Sequence, residues 1–459
     1  MGRYHSRVQA SARVVILVAN PITYDGRVRR HASTLAAAGY DVCVLGVVGP
    51  NDRDEPPLPS EAQAAYPEAR AAVRFRWLRI DRRRHGLEPR LRWLISASRQ
   101  RLSLALYGLA QRLPGSATEP GAQIGLAQLA GLAVATSAPD LAWAAMRQRP
   151  DLIYANDLDT LPAAAWAARL CGVPFVYDAH EVYVDEHPAL SPLSRLARAC
   201  SEAYFSRKAA AILTVNSLLA EDLRQRYGLP TPTVVRNLPE LAEADPITPP
   251  IERPLGETGT LHVLYHGAHI GLSQHGVDDL LRAMARLVSP GDALRLRLTL
   301  RGGLSPSEDR GLRQRIAELG ISAHVRLMPP VPGAEALVRS AVLDGADVGL
   351  AVHPPLCLSY VYTTSSKVYE YQLAGLAVVA SDVTGNRHCI APQAGLFYPA
   401  GDDARLADCL RILSTNRDRL RAMQQAAYLH GMNSLRWRDE RRLLIDTVER
   451  AIRRARRAG

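Results

Sequence analysis

Short runs of wholly apolar residues alternate with amphipathic stretches along most of the chain, and this alternation limits the folds that it can adopt. Residues 13–19 (RVVILVA) predict a buried strand, and residues 28–36 then place their apolar side chains on one helical face. Residues 41–46 (DVCVLG) return to the strand pattern. Strands that are apolar on both faces and separated by helices indicate an α/β fold whose parallel sheets are covered on both sides.

The alternation stops once, at residues 241–259 (LAEADPITPPIERPLGETG), which contain four prolines and no periodic pattern. A chain of 459 residues is too long for one hydrophobic core and suits two domains joined by such a linker. We therefore predict an N-terminal domain over residues 1–240 and a C-terminal domain over residues 260–430. We also predict a helical insertion at about 82–147 and a basic amphipathic helix at 431–459.

The chain carries a formal net charge of +11, concentrated in arginine-rich segments. Those segments lack the interleaved aromatic residues and the motifs of nucleic-acid-binding folds, so no nucleic-acid partner is predicted. A coding bias toward arginine and a patch for anionic lipid or a lipid-linked substrate both explain the charge. The predicted insertion also has two interpretations. Its apolar faces either pack on the domain or lie on a bilayer with Trp93 at headgroup level.

Six scattered cysteines, with no CxxC pair, favour a reducing compartment over a disulfide framework and argue against a structural metal. No secretory signal opens the sequence, because arginines interrupt its first residues. No segment reaches about 18 consecutive apolar residues, so a membrane span is not predicted. We expect a cytoplasmic protein, with peripheral membrane contact through the basic helices as a second interpretation.

Polar residues stand at the ends of the predicted strands of the N-terminal domain, where open parallel sheets bind their ligands. Gly26 begins the first helix, and a glycine there lets a ligand approach the free N–H groups of the helix start. An ordinary turn between strand and helix explains this glycine too. Asp157 and Asp159 follow one strand, and Asp178 and His180 end the next. The first two carboxylates either cap the next helix or belong to a site. We predict His180 and Asp157 as catalytic residues that bind sugar hydroxyls or move protons.

The C-terminal domain carries a more specific pattern at residues 363–375 (TTSSKVYEYQLAG). Hydroxyls before a helix start are expected to cap it. Free N–H groups there, with Ser365, Ser366 and Lys367, form an anion site that suits a diphosphate. Glu370 lies one turn further and is placed to accept hydrogen bonds from a ribose diol. A surface ion pair between residues 367 and 370 is the alternative, but the apolar strand that follows places this helix against the sheet and favours the binding site.

Taken together, these motifs resemble the retaining glycosyltransferases of the GT-B group, family four (glycosyltransferase group 1 type). That family includes sucrose and glycogen synthases and many bacterial envelope enzymes. The resemblance extends from about Val14 to Ala427 and rests on seven segments in the family's order. These are 25–29 (DGRVR), 38–42 (AGYDV), 150–157 (PDLIYAND), 176–181 (VYDAHE), 213–217 (LTVNS), 235–237 (VRN) and 366–379 (SKVYEYQLAGLAVV). The last segment is the strongest match.

The resemblance implies two Rossmann-like domains that face each other across a deep cleft, with the C-terminal helix returning toward the N-terminal domain. It implies a nucleoside-diphosphate sugar on the C-terminal domain and a carbohydrate or lipid-linked acceptor on the N-terminal domain. By that resemblance Glu370 binds the ribose, and His180 contacts the donor sugar. Lys367 and the amides of Ser365 and Ser366 bind the diphosphate. The family's chemistry retains the anomeric configuration and needs neither a metal nor a cofactor.

Other positions in the C-terminal domain complete the expected donor site or depart from the family's pattern. Gly267 ends the first strand of this domain, His275 lies in the loop that follows, and Arg301 ends the next strand. All three are predicted to contact the nucleotide sugar. Ala268 and Tyr362 stand where the family often has a basic residue and a first glutamate.

Three functions are therefore open. The first is an active glycosyltransferase of the hexosyl type, in cell-envelope or polysaccharide biosynthesis. The second is a catalytically degenerate homologue that binds a ligand or partner without turnover, which Ala268 and Tyr362 motivate. The third is a sugar-nucleotide epimerase on the same two-domain plan, which converts the donor in the absence of an acceptor.

Overall fold

The computed structural model describes residues 12–22, 25–48, 73–79, 137–241, 247–253, 259–272, 276–288, 294–331, 333–362 and 364–458. This part of the chain separates into two compact units, with boundaries after Arg236 and after Asp439. We call them the N-terminal unit, to which the chain returns from Glu440, and the C-terminal unit. The predicted insertion lies outside the described residues up to residue 136, and so do parts of the predicted linker.

In the described part of the N-terminal unit, seven strands form a parallel sheet in the order β3-β2-β1-β4-β5-β6-β7. They are β1 (Arg13–Leu17), β2 (Asp41–Val48), β3 (Val73–Arg79), β4 (Leu152–Asn156), β5 (Phe175–Ala179), β6 (Ala211–Thr214) and β7 (Thr233–Val234). The helices are α1 (Gly26–Ala37), α2 (Ala138–Met146), α3 (Leu161–Cys171), α4 (Pro192–Ser206) and α5 (Ser217–Tyr227). The order of winding reverses between β1 and β4, and ligands of such sheets bind beyond the carboxyl ends at this point.

The described residues of the C-terminal unit form a second parallel sheet, of six strands in the order β10-β9-β8-β11-β12-β13. They are β8 (Leu261–His269), β9 (Leu296–Gly303), β10 (Val325–Met328), β11 (Val348–Ala351), β12 (Ala377–Ser381) and β13 (Gly395–Tyr398). The helices are α6 (Val277–Leu287), α7 (Pro306–Glu318), α8 (Ala334–Leu343), α9 (Leu358–Tyr362), α10 (Ser366–Leu373), α11 (Thr384–Cys389), α12 (Asp403–Thr415) and α13 (Arg417–Ser434). The reversal lies between β8 and β11, the counterpart of β1 and β4.

The apolar runs of the sequence become strands that are buried on both faces. Every residue from Val14 to Leu17 in β1 and from Ala377 to Ser381 in β12 has no exposed surface. Helix α3 ends at Gly172, whose φ of +67° is a left-handed conformation that favours glycine, so the predicted helix stop is confirmed. The predicted α/β fold with two Rossmann-like sheets is confirmed as well.

The last helix, α14 (Trp437–Ala458), belongs to the N-terminal unit from Glu440 onward. Glu440 is buried and accepts hydrogen bonds from Arg236, from the backbone N–H at 2.7 Å, from Nε at 2.8 Å and from Nη2 at 2.6 Å. This ion pair attaches the helix to the unit in which the sequence begins, as expected. No helix in the described ranges combines the length and the apolar character that a membrane crossing requires.

The structure adds β3, α4, α9, α11 and β13 to the elements that the sequence predicts. β3 alternates arginine with apolar residues (VRFRWLR) because it lies at the sheet edge, where β2 is its neighbour. The segment after His180 is not wholly irregular, since Tyr183–Asp185 form a 3₁₀ turn. Helix α4 then begins at Pro192, and the Ser191 hydroxyl caps it by accepting a hydrogen bond from the Ser194 N–H at 3.2 Å.

Candidate functional site

Side chains of opposite charge converge at the carboxyl ends of β4 and β5 in the N-terminal unit. Asp178 lies at their centre and is fully buried. Arg27, from α1, donates two hydrogen bonds to its carboxylate, from Nη2 at 2.7 Å and from Nε at 3.0 Å. The Tyr154 hydroxyl donates another at 2.7 Å. Arg27 also donates to the Val235 carbonyl at 2.7 Å, so one guanidinium joins β5 to the segment after β7.

His180 lies between two carboxylates. Its Nδ1 is 2.8 Å from Asp157 Oδ1, and its Nε2 is 3.1 Å from Asp178 Oδ2. The Tyr183 hydroxyl donates to the same Asp157 oxygen at 2.5 Å and accepts a hydrogen bond from the His180 backbone N–H at 3.2 Å. The structure therefore brings His180 and Asp157 into direct contact. Their catalytic role stays a prediction.

Asp157 is held by its side-chain contacts and not by a helix cap. Its φ is +69°, a left-handed backbone that is uncommon for a residue with a side chain. Thr160 occupies the N-cap position of α3, and no side chain caps that helix. The interpretation in which Asp157 and Asp159 cap the helix is therefore wrong. Asp159 is exposed and has no part in the contacts around His180.

Burial disfavours the charged form of each group in this cluster, so neighbouring charges decide the protonation states. For His180, burial lowers the pKa, but Asp157 and Asp178 outweigh it and raise the pKa to about 10. For Asp178, burial raises the pKa, but Arg27 and His180 hold it well below its usual range. Burial and the Arg27 guanidinium lower the pKa of His31 well below its usual value. At neutral pH His180 is an imidazolium and His31 is uncharged.

Gly26 begins α1 beyond the carboxyl end of β1, where the sequence predicts it. Asp25 is the N-cap of this helix and accepts a hydrogen bond from the Val28 N–H at 3.0 Å. A Cβ atom at Gly26 would lie 3.3 Å from Arg30 Nη1, which is tighter than most such contacts. The glycine thus gives space to the Arg30 guanidinium, and its contact with a ligand stays a prediction.

In the C-terminal unit, α10 begins with Ser366. Ser365 occupies the N-cap position, but its side chain makes no capping hydrogen bond. The expectation that this hydroxyl caps the helix is therefore wrong. The first N–H groups of α10 are left without a side-chain cap, which is the condition under which a helix start binds an anion.

Lys367 extends from the first turn of α10 toward β8. Its Nζ is 5.5 Å from the centroid of the Tyr265 ring and 3.5 Å from Ser365 Oγ. A Cβ atom at Gly267 would lie 3.5 Å from Lys367 Cε, so the structure brings these two predicted residues together. No carboxylate of the described residues lies within 4.0 Å of the ammonium group. Burial lowers the pKa of Lys367, and Glu370 offsets part of that effect.

Glu370 is buried one turn further along α10, and its Oε2 lies 2.7 Å from His266 Nε2 in β8. His266 stacks on Tyr371 with ring centroids 4.8 Å apart, and its backbone N–H donates to the Tyr371 hydroxyl at 3.2 Å. Gly349 allows this packing, because a Cβ atom there would overlap the Tyr371 ring. The alternative of a surface ion pair between Lys367 and Glu370 is wrong, since Glu370 is buried against His266.

Arg301 and His275 are the other two side chains of the C-terminal unit that were predicted to contact the nucleotide sugar. Arg301 is buried and pairs with Asp344 after α8, and its contact with the nucleotide sugar stays a prediction. His275 lies outside the described residues. The register of β8 shifts between Gly267 and His269, and bulges of this kind are frequent beside binding sites.

Four residues of these clusters were not predicted from the sequence: Arg27, His31, Tyr154 and His266. Arg27, Arg30 and His31 are all buried on α1, so three basic residues within about one turn of a buried helix were the available signal. For His266 the signal was a histidine within an apolar strand. Such residues need a buried partner, which the sequence does not name.

Two parallel Rossmann-like sheets with polar clusters at their carboxyl ends are the architecture of the GT-B class. A glycosyl transferase 4-like domain matches residues 25–238, and a domain described as glycosyl transferases group 1 matches residues 260–416. The chain belongs to the group 1 glycosyltransferases of family four, and the predicted enzyme class is confirmed. These matches favour neither an epimerase nor an inactive homologue. A search of curated proteins found no match.

Three solved structures illustrate the shared fold. Sucrose-phosphate synthase from Thermosynechococcus elongatus is 16% identical with a TM-score of 0.60, over 97% of this chain and 100% of that one. Anabaena HepE in complex with UDP and glucose is 14% identical with a TM-score of 0.62, over 95% and 99%. The α,α-trehalose 6-phosphate synthase from Burkholderia multivorans is 15% identical with a TM-score of 0.57, over 98% and 99%.

Proposed function

We propose that this glycosyltransferase moves a sugar from a nucleoside-diphosphate donor to a carbohydrate or lipid-linked acceptor, with retention and without a metal ion or cofactor. The observation that carries the proposal is the half-buried Lys367 ammonium, which has no carboxylate within 4.0 Å among the described residues. A diphosphate supplies the missing negative charge, and the uncapped N–H groups of α10 bind its oxygens. Glu370 then accepts hydrogen bonds from the ribose.

In this proposal His180 acts as a hydrogen-bond donor to the donor sugar. With a pKa raised to about 10, its ring is charged near neutral pH and is not a general base there. Nδ1 is committed to Asp157, whereas Nε2 lies near Asp178 without forming a hydrogen bond to it. In this proposal a sugar hydroxyl accepts the Nε2 proton, which is buried and has no hydrogen-bond partner among the described residues.

Negative charge develops on the departing diphosphate during transfer. Lys367 and the start of α10 stabilise that charge in the role that a metal ion takes in other transferases. We further propose a cytoplasmic location, with peripheral contact to anionic lipid through the last turns of α14. Four arginines are exposed there, at positions 453, 454, 456 and 457.

The binding test compares the wild type with Glu370→Gln by calorimetric titration of UDP, GDP and ADP sugars. UDP-glucose comes first, because HepE was solved in complex with it. Loss of a charged hydrogen-bond acceptor for the ribose should weaken binding about tenfold to hundredfold. Glu318→Gln, an exposed glutamate on α7, is the matched control and should bind like the wild type. Absence of binding to every nucleotide sugar, or equal binding by Glu370→Gln, would reject the proposal.

The chemical test follows transfer by proton NMR of the new anomeric centre. Retention predicts the same anomeric configuration in product and donor. Parallel reactions with EDTA and with added Mg²⁺ should proceed at equal rates. An inverted product contradicts retention, and a rate that EDTA abolishes contradicts metal independence.

A further inference from the structure

A pocket of about 670 Å³ opens at the amino-terminal edge of the N-terminal sheet, away from the carboxyl ends that carry His180. Arginine dominates its lining, which is drawn from the start of β1, from the edge strand β3 and from the segment that leads from α2 to β4. The lining residues are Arg13, Arg74, Arg76, Ala144, Arg147, Gln148 and Arg149. None of these residues has a part in the proposed transfer.

Two of the guanidinium groups are held in place by a shared carboxylate. Arg13 Nε donates to Asp41 Oδ2 and Arg74 Nη2 donates to Asp41 Oδ1, both at 2.7 Å. Arg13 Nη1 also donates to the Gln148 carbonyl at 2.7 Å, and its backbone N–H donates to Asp151 Oδ2 at 2.7 Å. These contacts orient the floor of the pocket before any ligand arrives.

The other three guanidinium groups have no such partner. Within the described ranges, no carboxylate lies within 4.0 Å of Arg76, Arg147 or Arg149, and all three side chains are exposed. With two carboxylates against five arginines, the pocket carries three positive charges in excess. Arg149 also has a φ of +52°, a backbone conformation uncommon for a residue with a side chain.

We propose that this pocket binds a phosphorylated polyanion, in which several phosphoryl groups are presented together. Guanidinium groups recognise phosphate by paired N–H···O hydrogen bonds, and several of them in one concavity match several phosphates better than isolated carboxylates. The excess charge has no internal compensation in the described chain, so a ligand of opposite charge removes the repulsion among the arginines. The site is separate from the proposed donor site, because it lies in the other unit and at the opposite edge of its sheet from Asp157.

The test titrates sodium tripolyphosphate into three proteins that share Lys367→Met, which removes the ammonium of the proposed donor site. The first carries no other change. The second adds Arg76→Gln, Arg147→Gln and Arg149→Gln. The third adds Arg310→Gln, Arg326→Gln and Arg405→Gln, which remove three exposed arginines of the C-terminal unit. We expect the second protein to bind at least about tenfold more weakly than the other two, and added salt to reduce the difference.

Co-sedimentation with phosphatidylcholine vesicles that contain phosphatidylglycerol identifies the source of the phosphate. Binding of tripolyphosphate that is weakened in the second protein and kept in the third assigns the pocket to a soluble ligand. Binding of vesicles alone, lost in the second protein and kept in the third, assigns it to lipid headgroups. Equal binding by the second and third proteins in both assays, or no binding in either, overturns the proposal. A control protein carries the three pocket substitutions but keeps Lys367. Its circular dichroism spectrum and its binding of UDP-glucose should match those of the wild type, which shows that the fold and the donor site are intact.

Discussion

In the N-terminal unit, the charged side chains at the carboxyl ends of β4 and β5 neutralise one another, with Asp178 held by Arg27 and His180 held by two carboxylates. In the C-terminal unit, Lys367 has no carboxylate within 4.0 Å among the described residues. The charges of the first cluster are balanced within the unit, whereas the second leaves a charge that a ligand can compensate. Substitutions in the first should therefore cost stability, and substitutions in the second should cost binding.

The largest effect is expected for Asp178→Asn. Removal of this carboxylate leaves the buried Arg27 guanidinium without its counter-ion, and broken buried ion pairs cost about 3–5 kcal/mol of unfolding free energy. Urea unfolding of the full chain measures the loss. Asp140→Asn, an exposed aspartate on α2, is the control and should change stability by less than about 0.5 kcal/mol. Equal stability of the two variants would show that Asp178 is not needed to balance the charge of Arg27.

Lys367→Met tests the other side of the comparison. We expect the dissociation constant of the nucleotide sugar to rise about tenfold to hundredfold, because a charged hydrogen bond to the diphosphate is lost. The unfolding midpoint should not fall, since a desolvated cation without a counter-ion is replaced by an apolar chain of similar length. Calorimetry and thermal unfolding measure the two quantities on one preparation. A large loss of stability with unchanged binding would remove the distinction between the clusters.

A smaller effect is expected at His266, which positions Glu370. His266→Phe keeps the stacking on Tyr371 but removes the ring nitrogen that lies 2.7 Å from the carboxylate. The KM for the donor should rise about fivefold to tenfold with little change in kcat, because the carboxylate loses the polar contact that positions it. His266→Gln should restore part of the affinity. An unchanged KM for His266→Phe would show that His266 contributes packing but does not position Glu370.

The fold could be predicted from the sequence because strands buried on both faces and their helices are local patterns. The candidate residues at strand ends and helix starts, such as His180 and Glu370, follow from the same patterns. Their partners do not, because these are tertiary contacts. Arg27 reaches Asp178 across 151 positions, and no local rule pairs them. Arg301 likewise pairs with Asp344, a partner that its place at a strand end does not indicate.

The smallest effect concerns Glu202, a buried carboxyl of the N-terminal unit that differs from Asp178 because no cation of the described residues lies within 4.0 Å of it. It accepts hydrogen bonds from the hydroxyls of Tyr177 at 2.7 Å and Tyr227 at 2.9 Å. Burial raises the pKa of Glu202 to about 7, against the opposing effect of the two tyrosines. The folded chain therefore binds more protons here than the unfolded chain between about pH 4.5 and 7, and stability falls as the pH rises through that interval.

Glu202→Gln removes this pH dependence, because the amide does not ionise. At pH 8 the variant should be more stable than the wild type by about 1 kcal/mol. The variant avoids the cost of ionising a buried carboxyl, but it loses part of this gain because its amide forms a less favourable hydrogen bond with one tyrosine. The advantage should vanish near pH 4.5, where the wild-type carboxyl is protonated. Urea unfolding at both pH values measures the difference, with Glu318→Gln as an exposed control. If the variant is less stable than the wild type at pH 8, Glu202 is stabilised as a carboxylate, as Asp178 is. A buried carboxylate of this unit would then not need a nearby cation.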